Sequence, residues 1–349
     1  MISWLRRGAF VLALAFLVMT FVNASWLAEK PKGYPHLLSV RGITQQPVKL
    51  DAPDGQCAAQ AIDPPVHDYI ENTLPALQRA SGMGSAMVSV DVNVSADGRI
   101  VLFRDKTLDC RTSGTGEVAA LTLAQLKALD AGHGYSGDGG KTFPLRGLGV
   151  GYIPTLEETL TALPSEPILF NLAGRDAAVA ARLVDGLLAA GREVETLGDA
   201  FMGDEAALAP IRRRFPKAWA FSMEAARQCT GDYMLRGWLA MTPASCKGGT
   251  ILVPIDRQLL FAGWPSRLIA RMAAVDAHVV VTGPASDGHE PRGLDLPEQI
   301  GKVPASFNGH IWVSDQWVIG PALHPAADRR NGREKAETEA LIAKRRENR

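Results

Sequence analysis

The stretch Met87–Thr112, which reads MVSVDVNVSADGRIVLFRDKTLDCRT, decides the fold. Valines alternate with polar residues along its first half, and this period of two predicts a strand with Ser89 and Asp91 on one face. The Asp97–Gly98 turn follows, and an apolar segment then restarts a strand that ends at Arg104. A buried strand that delivers polar groups at its end is typical of a barrel enzyme.

The rest of the chain alternates short apolar segments with amphipathic helical patterns, two of which begin with capping boxes at Thr122 and Thr155. Further strands are predicted at residues 37–40, 167–172, 217–221, 250–254, 277–282 and 309–313. About eight strand candidates predict an α/β fold, a TIM-like (β/α)8 barrel with a hairpin excursion and long loops at its C-terminal face.

Charge and composition exclude some partners and predict three regions. The formal net charge is zero, with 21% charged and 46% hydrophobic residues, so no nucleic-acid partner is predicted. Residues 29–325 form the predicted barrel. Residues 326–349 are charge-dense and nearly free of aromatic residues, which predicts a disordered tail; a solvated helix over residues 334–346 is the alternative.

Residues 1–28 have the pattern of an export segment. Arg6 and Arg7 precede an apolar run over 8–22, which predicts either a cleaved signal peptide or an uncleaved signal anchor. Both alternatives place the protein in the cell envelope. The anchor would hold it in the inner membrane facing the periplasm, and cleavage would release it into the periplasm.

Four cysteines follow the export segment, and an even count in an exported chain favours disulfides. Cys229 and Cys246 lie close in sequence and would staple a local excursion, which leaves Cys57 to pair with Cys110. Four free buried thiols are the alternative. The chain contains no Cys-x-x-Cys spacing, so metal binding by these thiols ranks last.

Short motifs occur in order along the chain. They are Val40-Arg41-Gly42, Glu71-Asn72-Thr73, Ser89-Val90-Asp91, Phe103–Asp109, Ser113–Gly116, Ile153–Glu158 and Ile311–Pro321. Over about residues 37–323 this order resembles the glycerophosphodiester phosphodiesterase family. The loop with Cys57 and His67 resembles an exported bacterial branch of it. The resemblance implies a barrel that hydrolyses a glycerophosphodiester to sn-glycerol 3-phosphate and an alcohol.

The resemblance also implies a degenerate active site. The family is understood to use two histidines as acid and base, and here Val40 and Arg104 stand at those positions. A valine exchanges no proton, and an arginine stays protonated. Among the histidines present, His67 lies in the long loop four residues before Glu71 and is the best candidate for a substitute acid–base group; the alternative is a plain loop residue.

The implied metal ligands are depleted in the same way. The family holds a divalent cation with carboxylates, whereas Ser89, Asp91 and Asn171 supply one negative charge between them. Asp91 and Ser89 are therefore predicted to bind metal weakly or not at all, and no cofactor is expected. Calcium or magnesium would be needed only if activity remains.

The predicted site therefore retains few groups. Arg41, Glu71 and Arg104 are the predicted catalytic positions, and Arg41, Arg104 and Asn171 are predicted to bind substrate. Arg104 is hypothesised to form an ion pair with Asp91 or Glu71 where the metal would lie; the alternative is a solvated loop residue.

The function predicted from the sequence is that of an impaired or inactive family member that binds a glycerophosphodiester or a glycerol phosphate-like small molecule. Membrane contact is predicted only through residues 1–28. Two alternatives stay open, namely a phosphodiesterase that is still active with altered residues and a structural protein of the envelope.

Overall fold

The structure is a computed structural model, and it describes residues 2–47, 57–286 and 291–347. Nine strands are assigned within these ranges. They are β1 His36–Ser39, β2 Met87–Val94, β3 Ile100–Leu102, β4 Ile168–Leu172, β5 Ala200–Gly203, β6 Trp219–Phe221, β7 Thr250–Pro254, β8 His278–Thr282 and β9 His310–Val313.

Eight of these strands form a nearly closed parallel barrel. Their order is β6-β5-β4-β2-β1-β9-β8-β7, and each neighbouring pair is parallel. One side-chain hydrogen bond bridges the gap between β6 and β7, where Trp219 Nε1 donates to Thr250 Oγ1 at 2.9 Å. Beside it, Leu252 N of β7 donates at 2.9 Å to Oγ1 of Thr230, which lies in the helix after β6. The TIM-like barrel predicted from the sequence is confirmed.

Two strands correct the details of that prediction. The hairpin strand β3 pairs antiparallel with β2 and lies outside the barrel path. The eighth barrel strand is instead β5, which the sequence analysis did not identify and which pairs in parallel with β4 and β6. Only four residues long and ending in a glycine, β5 gives little signal of its own.

The helices surround the barrel. They are α1 Ile2–Val22, α2 Leu74–Gly82, α3 Leu123–Lys127, α4 Leu156–Ala162, α5 Ala177–Ala189, α6 Val194–Leu197, α7 Glu205–Arg214, α8 Met223–Arg236, α9 Ser266–Ala273, α10 Gln316–Leu323 and α11 Gly332–Glu347. Thr122 and Thr155 begin α3 and α4 with the predicted capping boxes.

One buried apolar cluster receives side chains from all eight barrel strands and therefore fills the barrel interior. Val40, Met87 and Leu169 belong to it. Because side chains alternate along a strand, Ser89 and Asp91 share the inward face of Met87, and Asn171 shares that of Leu169. The sequence thus places polar groups at the C-terminal end of an apolar barrel.

Both predicted disulfides are present. Cys57 bonds to Cys110 and Cys229 bonds to Cys246, with Cα atoms 5.1 Å and 4.7 Å apart. The first fastens the long loop after β1 to the loop after β3, and the second fastens α8 to the segment before β7.

The N-terminal segment forms the helix α1. Within the described ranges, none of the helices combines the length and apolar character that crossing a bilayer requires. Export through residues 1–28 stays a prediction.

The prediction that residues 326–349 are disordered is wrong for most of that segment. Residues 332–347 form α11, and its residues Thr338, Leu341, Ile342 and Arg345 are buried. Arg345 donates to Asp315 Oδ2 at 2.6 Å and to Asp63 Oδ2 at 2.7 Å. Charge density misled the prediction, because one face of the helix packs against the barrel domain.

Candidate active site

The site begins where three strands end. Ser89 and Asp91 lie on β2, Asn171 lies on β4 directly beside Asp91, and Arg41 follows β1. These ends share one face of the barrel because the strands are parallel. The structure therefore brings together the predicted metal and substrate residues at the C-terminal face, where barrel enzymes hold their active sites.

Asp91 is the centre of this group, and N–H donors surround its carboxylate. Arg41 Nε donates to Oδ2 at 2.6 Å, and Asn72 Nδ2 donates to the same oxygen at 2.9 Å. Asn171 Nδ2 donates to Oδ1 at 2.7 Å. Asn171 turns its own oxygen away to accept from Ala173 N at 3.0 Å. The buried carboxylate is thus satisfied by protein donors alone.

Two residues in the left-handed backbone region shape the same corner. Arg41 has φ 59° and Asn72 has φ 58°, and Asn72 N donates to the carbonyl of Arg41 at 3.1 Å. Asn72 Oδ1 also accepts from Asp91 N at 2.9 Å, so the side-chain amide of Asn72 hydrogen-bonds to both the backbone and the carboxylate of Asp91. A left-handed arginine costs on the order of 1 kcal/mol or more, and such strain concentrates at functional sites.

A second buried ion pair lies beside the first. Arg111 Nη1 is 3.2 Å from Glu71 Oε1, and Arg111 Nε donates to Asp105 Oδ2 at 2.8 Å. Arg111 Nη1 also donates to the hydroxyl of Tyr135 at 3.3 Å. Within the described part of the chain, Glu71 Oε1 accepts no well-aligned hydrogen bond, so the charge of Arg111 is what holds it.

Arg104 lies beside both carboxylates. It is half-buried and lines a small cavity with Glu71, Arg111 and Tyr135. Its carbonyl accepts from Arg175 Nη2 at 3.0 Å, which fixes the loop after β3. Arg41 hydrogen-bonds to Asp91 and Arg111 pairs with Glu71, and the positive charge of Arg104 acts on both carboxylates.

The electrostatics of the cluster keep both acids ionised. Burial by itself would raise the pKa of Glu71, but the charges of Arg111, Arg41 and Arg104 outweigh it and hold that pKa below its ordinary value. For Asp91, burial is likewise outweighed by Arg41, by the Asn72 hydrogen bond and by Arg104, so its pKa is also lowered. Neither group is suited to hold a transferable proton near neutral pH.

Two other predicted positions take no part in proton transfer. Val40 is buried in the apolar barrel interior. His67 contacts Gln45 and Tyr69 through Nδ1, and its ring centroid is 4.9 Å from that of Trp317. Burial, followed by the charge of Arg345, lowers the pKa of His67 to about 3, so it is neutral at physiological pH. The structure favours the plain packing interpretation of His67.

The sequence analysis assigned no role to Asn72, Arg111, Tyr135 or Arg175. Asn72 was visible inside the Glu71-Asn72-Thr73 motif, where an asparagine tolerates the left-handed backbone. Arg111 directly follows the disulfide-bonded Cys110, and that neighbour gives no sign of a partner forty residues earlier. Its pairing with Glu71 depends on tertiary structure.

The comparison with known families agrees with this geometry. Residues 66–178, which contain Glu71, Asp91, Arg104 and Asn171, match the model of the glycerophosphoryl diester phosphodiesterase family. The matched stretch is about a third of the chain. The resemblance stated from the short motifs is confirmed.

Curated relatives with this name match part of the chain. The glycerophosphodiester phosphodiesterase of Caldanaerobacter subterraneus is 34% identical over 102 residues, which is 29% of this chain and 38% of that protein. Glycerophosphodiester phosphodiesterase 1 of Bos taurus is 40% identical over 96 residues, 27% of this chain and 26% of that protein. The match thus spans well under half the length of these relatives.

Solved structures share the barrel fold of this chain. The glycerophosphoryl diester phosphodiesterase domain of a Mycobacterium tuberculosis protein gives a TM-score of 0.56 at 18% identity, over 84% of this chain and 100% of that one. An Oleispira antarctica phosphodiesterase, solved with the product sn-glycerol-3-phosphate, gives 0.52 at 18% identity, over 83% and 97%. At this identity the likeness supports the barrel fold alone.

The residues of this site do not fit the divalent cation that the family resemblance implies. A hard cation needs several oxygen ligands, and N–H donors from three residues already engage Asp91. Ser89 Oγ accepts from Arg41 N at 3.1 Å, and Arg111 faces Glu71. Among the described residues, no set of three or more His, Cys, Asp or Glu is arranged to hold a metal ion.

Proposed function

We propose that this protein binds a glycerol phosphate-like ester through its arginine cluster and lacks the metal-dependent hydrolysis implied by its family. The observation that carries the proposal is the engagement of Asp91 by Arg41, Asn72 and Asn171. A carboxylate held in this way has exchanged cation ligation for internal ion pairing.

The charge of the cluster supports an anionic ligand. Four arginines lie near three carboxylates. The arginines are Arg41, Arg104, Arg111 and Arg175, and the carboxylates are those of Glu71, Asp91 and Asp105. The excess positive charge favours a phosphate, which guanidinium groups bind in a bidentate manner. Arg104 and Arg41 are the groups we assign to the phosphate, with Asn171 at its edge.

The missing proton donors support the second half of the proposal. Acid–base cleavage needs groups that titrate near neutral pH. Val40 is apolar, Arg104 stays protonated, and the pKa of both Glu71 and Asp91 is lowered. A bound ester would therefore meet neither a general acid nor a general base in this cluster.

Calorimetry on the full chain tests binding. We expect sn-glycerol 3-phosphate to bind equally well in EDTA and in calcium. Arg104→Gln should weaken binding roughly tenfold or more, because a hydrogen bond between charged groups is lost. Arg213→Gln, which alters an exposed arginine on α7, is the matched control and should leave binding unchanged.

Turnover assays separate the alternatives. The proposal expects no hydrolysis of glycerophosphocholine with calcium or magnesium. Cation-dependent hydrolysis that Asp91→Ala abolishes would show an active enzyme and overturn it. Absence of both binding and turnover would instead favour a structural protein of the envelope.

We also propose that the chain is exported to the cell envelope. Arg6 and Arg7 precede an apolar helical segment, and the two disulfides are of a kind that persists in oxidising compartments. In fractionated cells, the tagged chain should be recovered with the envelope and with its four cysteines unreactive towards thiol reagents. Recovery from the cytoplasm with four free thiols would contradict this.

A further inference from the structure

We infer that a second pocket on the C-terminal face of the barrel binds an oxyanion such as a phosphate group. A cavity of about 250 Å³ lies against the ends of β7 and β8, away from the strands that carry Asp91 and Asn171. Three arginines line it, namely Arg227 from α8, Arg257 after β7 and Arg292 beyond β8. No acidic side chain is among its lining residues in the described ranges.

Backbone contacts hold Arg292 in place at the wall of this pocket. Gly283 N donates to the carbonyl of Arg292 at 2.8 Å, directly after β8. A Cβ atom at Gly283 would lie 2.5 Å from the carbonyl oxygen of Gly293, so only glycine permits this close approach. These contacts fix the main chain of Arg292, whose half-buried side chain lines the cavity.

One nitrogen of the Arg292 guanidinium has no hydrogen-bond partner among the described residues. This nitrogen is Nε, and it is buried. A buried donor without an acceptor is unfavourable and marks a position where a ligand or a water molecule completes the structure. Of the neutral and anionic ligands that could do so, an oxyanion also balances the charge.

The surrounding charges favour the anion. Arg257 is exposed at the rim, and within the described part of the chain it forms no ion pair. The adjacent carboxylate, Asp256, accepts from the backbone of Ala285 at 2.9 Å. Arg227 lines the pocket on the α8 side. An oxyanion can accept from Nε and Nη of Arg292 together, the planar geometry that guanidinium groups prefer.

Titration of the full chain with inorganic phosphate tests this pocket. We expect phosphate to bind this pocket roughly tenfold more weakly, or weaker still, in Arg257→Gln and in the double variant that carries Arg257→Gln and Arg292→Gln. Arg104→Gln should leave phosphate binding at this pocket unchanged, since it alters only the cluster around Asp91. Arg213→Gln is the control for a general loss of positive charge.

Unchanged phosphate binding in the exposed-site variant Arg257→Gln and in the double variant overturns the inference, as does an equal loss in Arg213→Gln. Failure of the Arg104→Gln experiment alone would count against the proposed function and not against this pocket. Vesicles of phosphatidylglycerol, compared with phosphatidylcholine, show whether the oxyanion is a lipid headgroup; the same arginine variants must weaken that binding too.

Discussion

Replacing Arg345 by alanine is expected to lower the free energy of unfolding by about 3–5 kcal/mol. Arg345 is buried on α11 and pairs with Asp315 at 2.6 Å and Asp63 at 2.7 Å. Its Nη1 also donates to the carbonyl of Asp295 at 3.2 Å. Removing the arginine leaves the buried carboxylate of Asp315 without its countercharge, and that uncompensated charge is the source of the loss.

Arg346→Ala is the matched control. This neighbour on the same helix pairs with Glu298 at 2.8 Å, but both side chains are about half exposed, 52% and 44%. Exposed pairs contribute about 0–1 kcal/mol, so we expect a small change. Urea unfolding followed by circular dichroism measures both variants. Equal losses would show that α11 is held by apolar packing and not by the buried ion pairs.

The loss in Arg345→Ala should shrink as the pH falls. Burial raises the pKa of Asp315 even with Arg345 beside it, and removing that positive charge raises it further. A carboxyl whose pKa is higher in the folded state than in the unfolded state favours folding at low pH, and this contribution is lost as pH rises through the folded pKa. The variant should therefore recover part of its stability at mildly acid pH.

The buried face of α11 could be predicted from the sequence in part, but the partners of Arg345 could not. Thr338, Leu341, Ile342 and Arg345 follow the i, i+3, i+4, i+7 spacing of one helix face. That stripe was present in the sequence, but it is short, and charged residues dominate the segment. Only the positions of Asp63 and Asp315 show why an arginine completes an otherwise apolar stripe.

Most of the barrel followed from pattern alone. The alternation along Met87–Val94 correctly placed Ser89 and Asp91 on one face and the valines on the other, because side chains along a strand alternate between its faces. The structure shows that the face with Ser89 and Asp91 is the inward one. The short barrel strand β5 was not predicted, and the hairpin strand β3 was counted as a barrel strand instead. A four-residue strand is defined by its neighbours β4 and β6 more than by its own residues.

For the site, sequence reasoning identified the positions but not all of the pairs. The replacement of Glu by Asn171 indicated a weakened metal site, yet the direction of the amide towards Asp91 required the structure. Arg104 was hypothesised to pair with Asp91 or Glu71, and its positive charge acts on both carboxylates. Arg41, 2.6 Å from Asp91, and Arg111, 3.2 Å from Glu71, are further cations of the cluster, and the pairing of Arg111 was not expected from the sequence.

Restoring the four altered positions together is expected to create cation-dependent hydrolysis of glycerophosphocholine where none is expected in the parent chain. The variant carries Val40→His, Ser89→Glu, Arg104→His and Asn171→Glu. Asn171→Glu removes an N–H donor from Asp91 and adds a carboxylate beside it, and Ser89→Glu adds another. The two histidines supply groups that titrate near neutral pH, worth roughly 10²–10⁴-fold in rate.

The paired control is the variant with Ser89→Glu and Asn171→Glu alone. Its crowded carboxylates should lower the melting temperature in EDTA, and calcium should raise it again by binding the folded state. Without the histidines, its hydrolysis should be roughly 10²–10⁴-fold slower than that of the fourfold variant. If calcium raises the melting temperature of neither variant, Asp91 has kept its hydrogen bonds to Arg41 and Asn72. The two added carboxylates would then not be enough for cation binding.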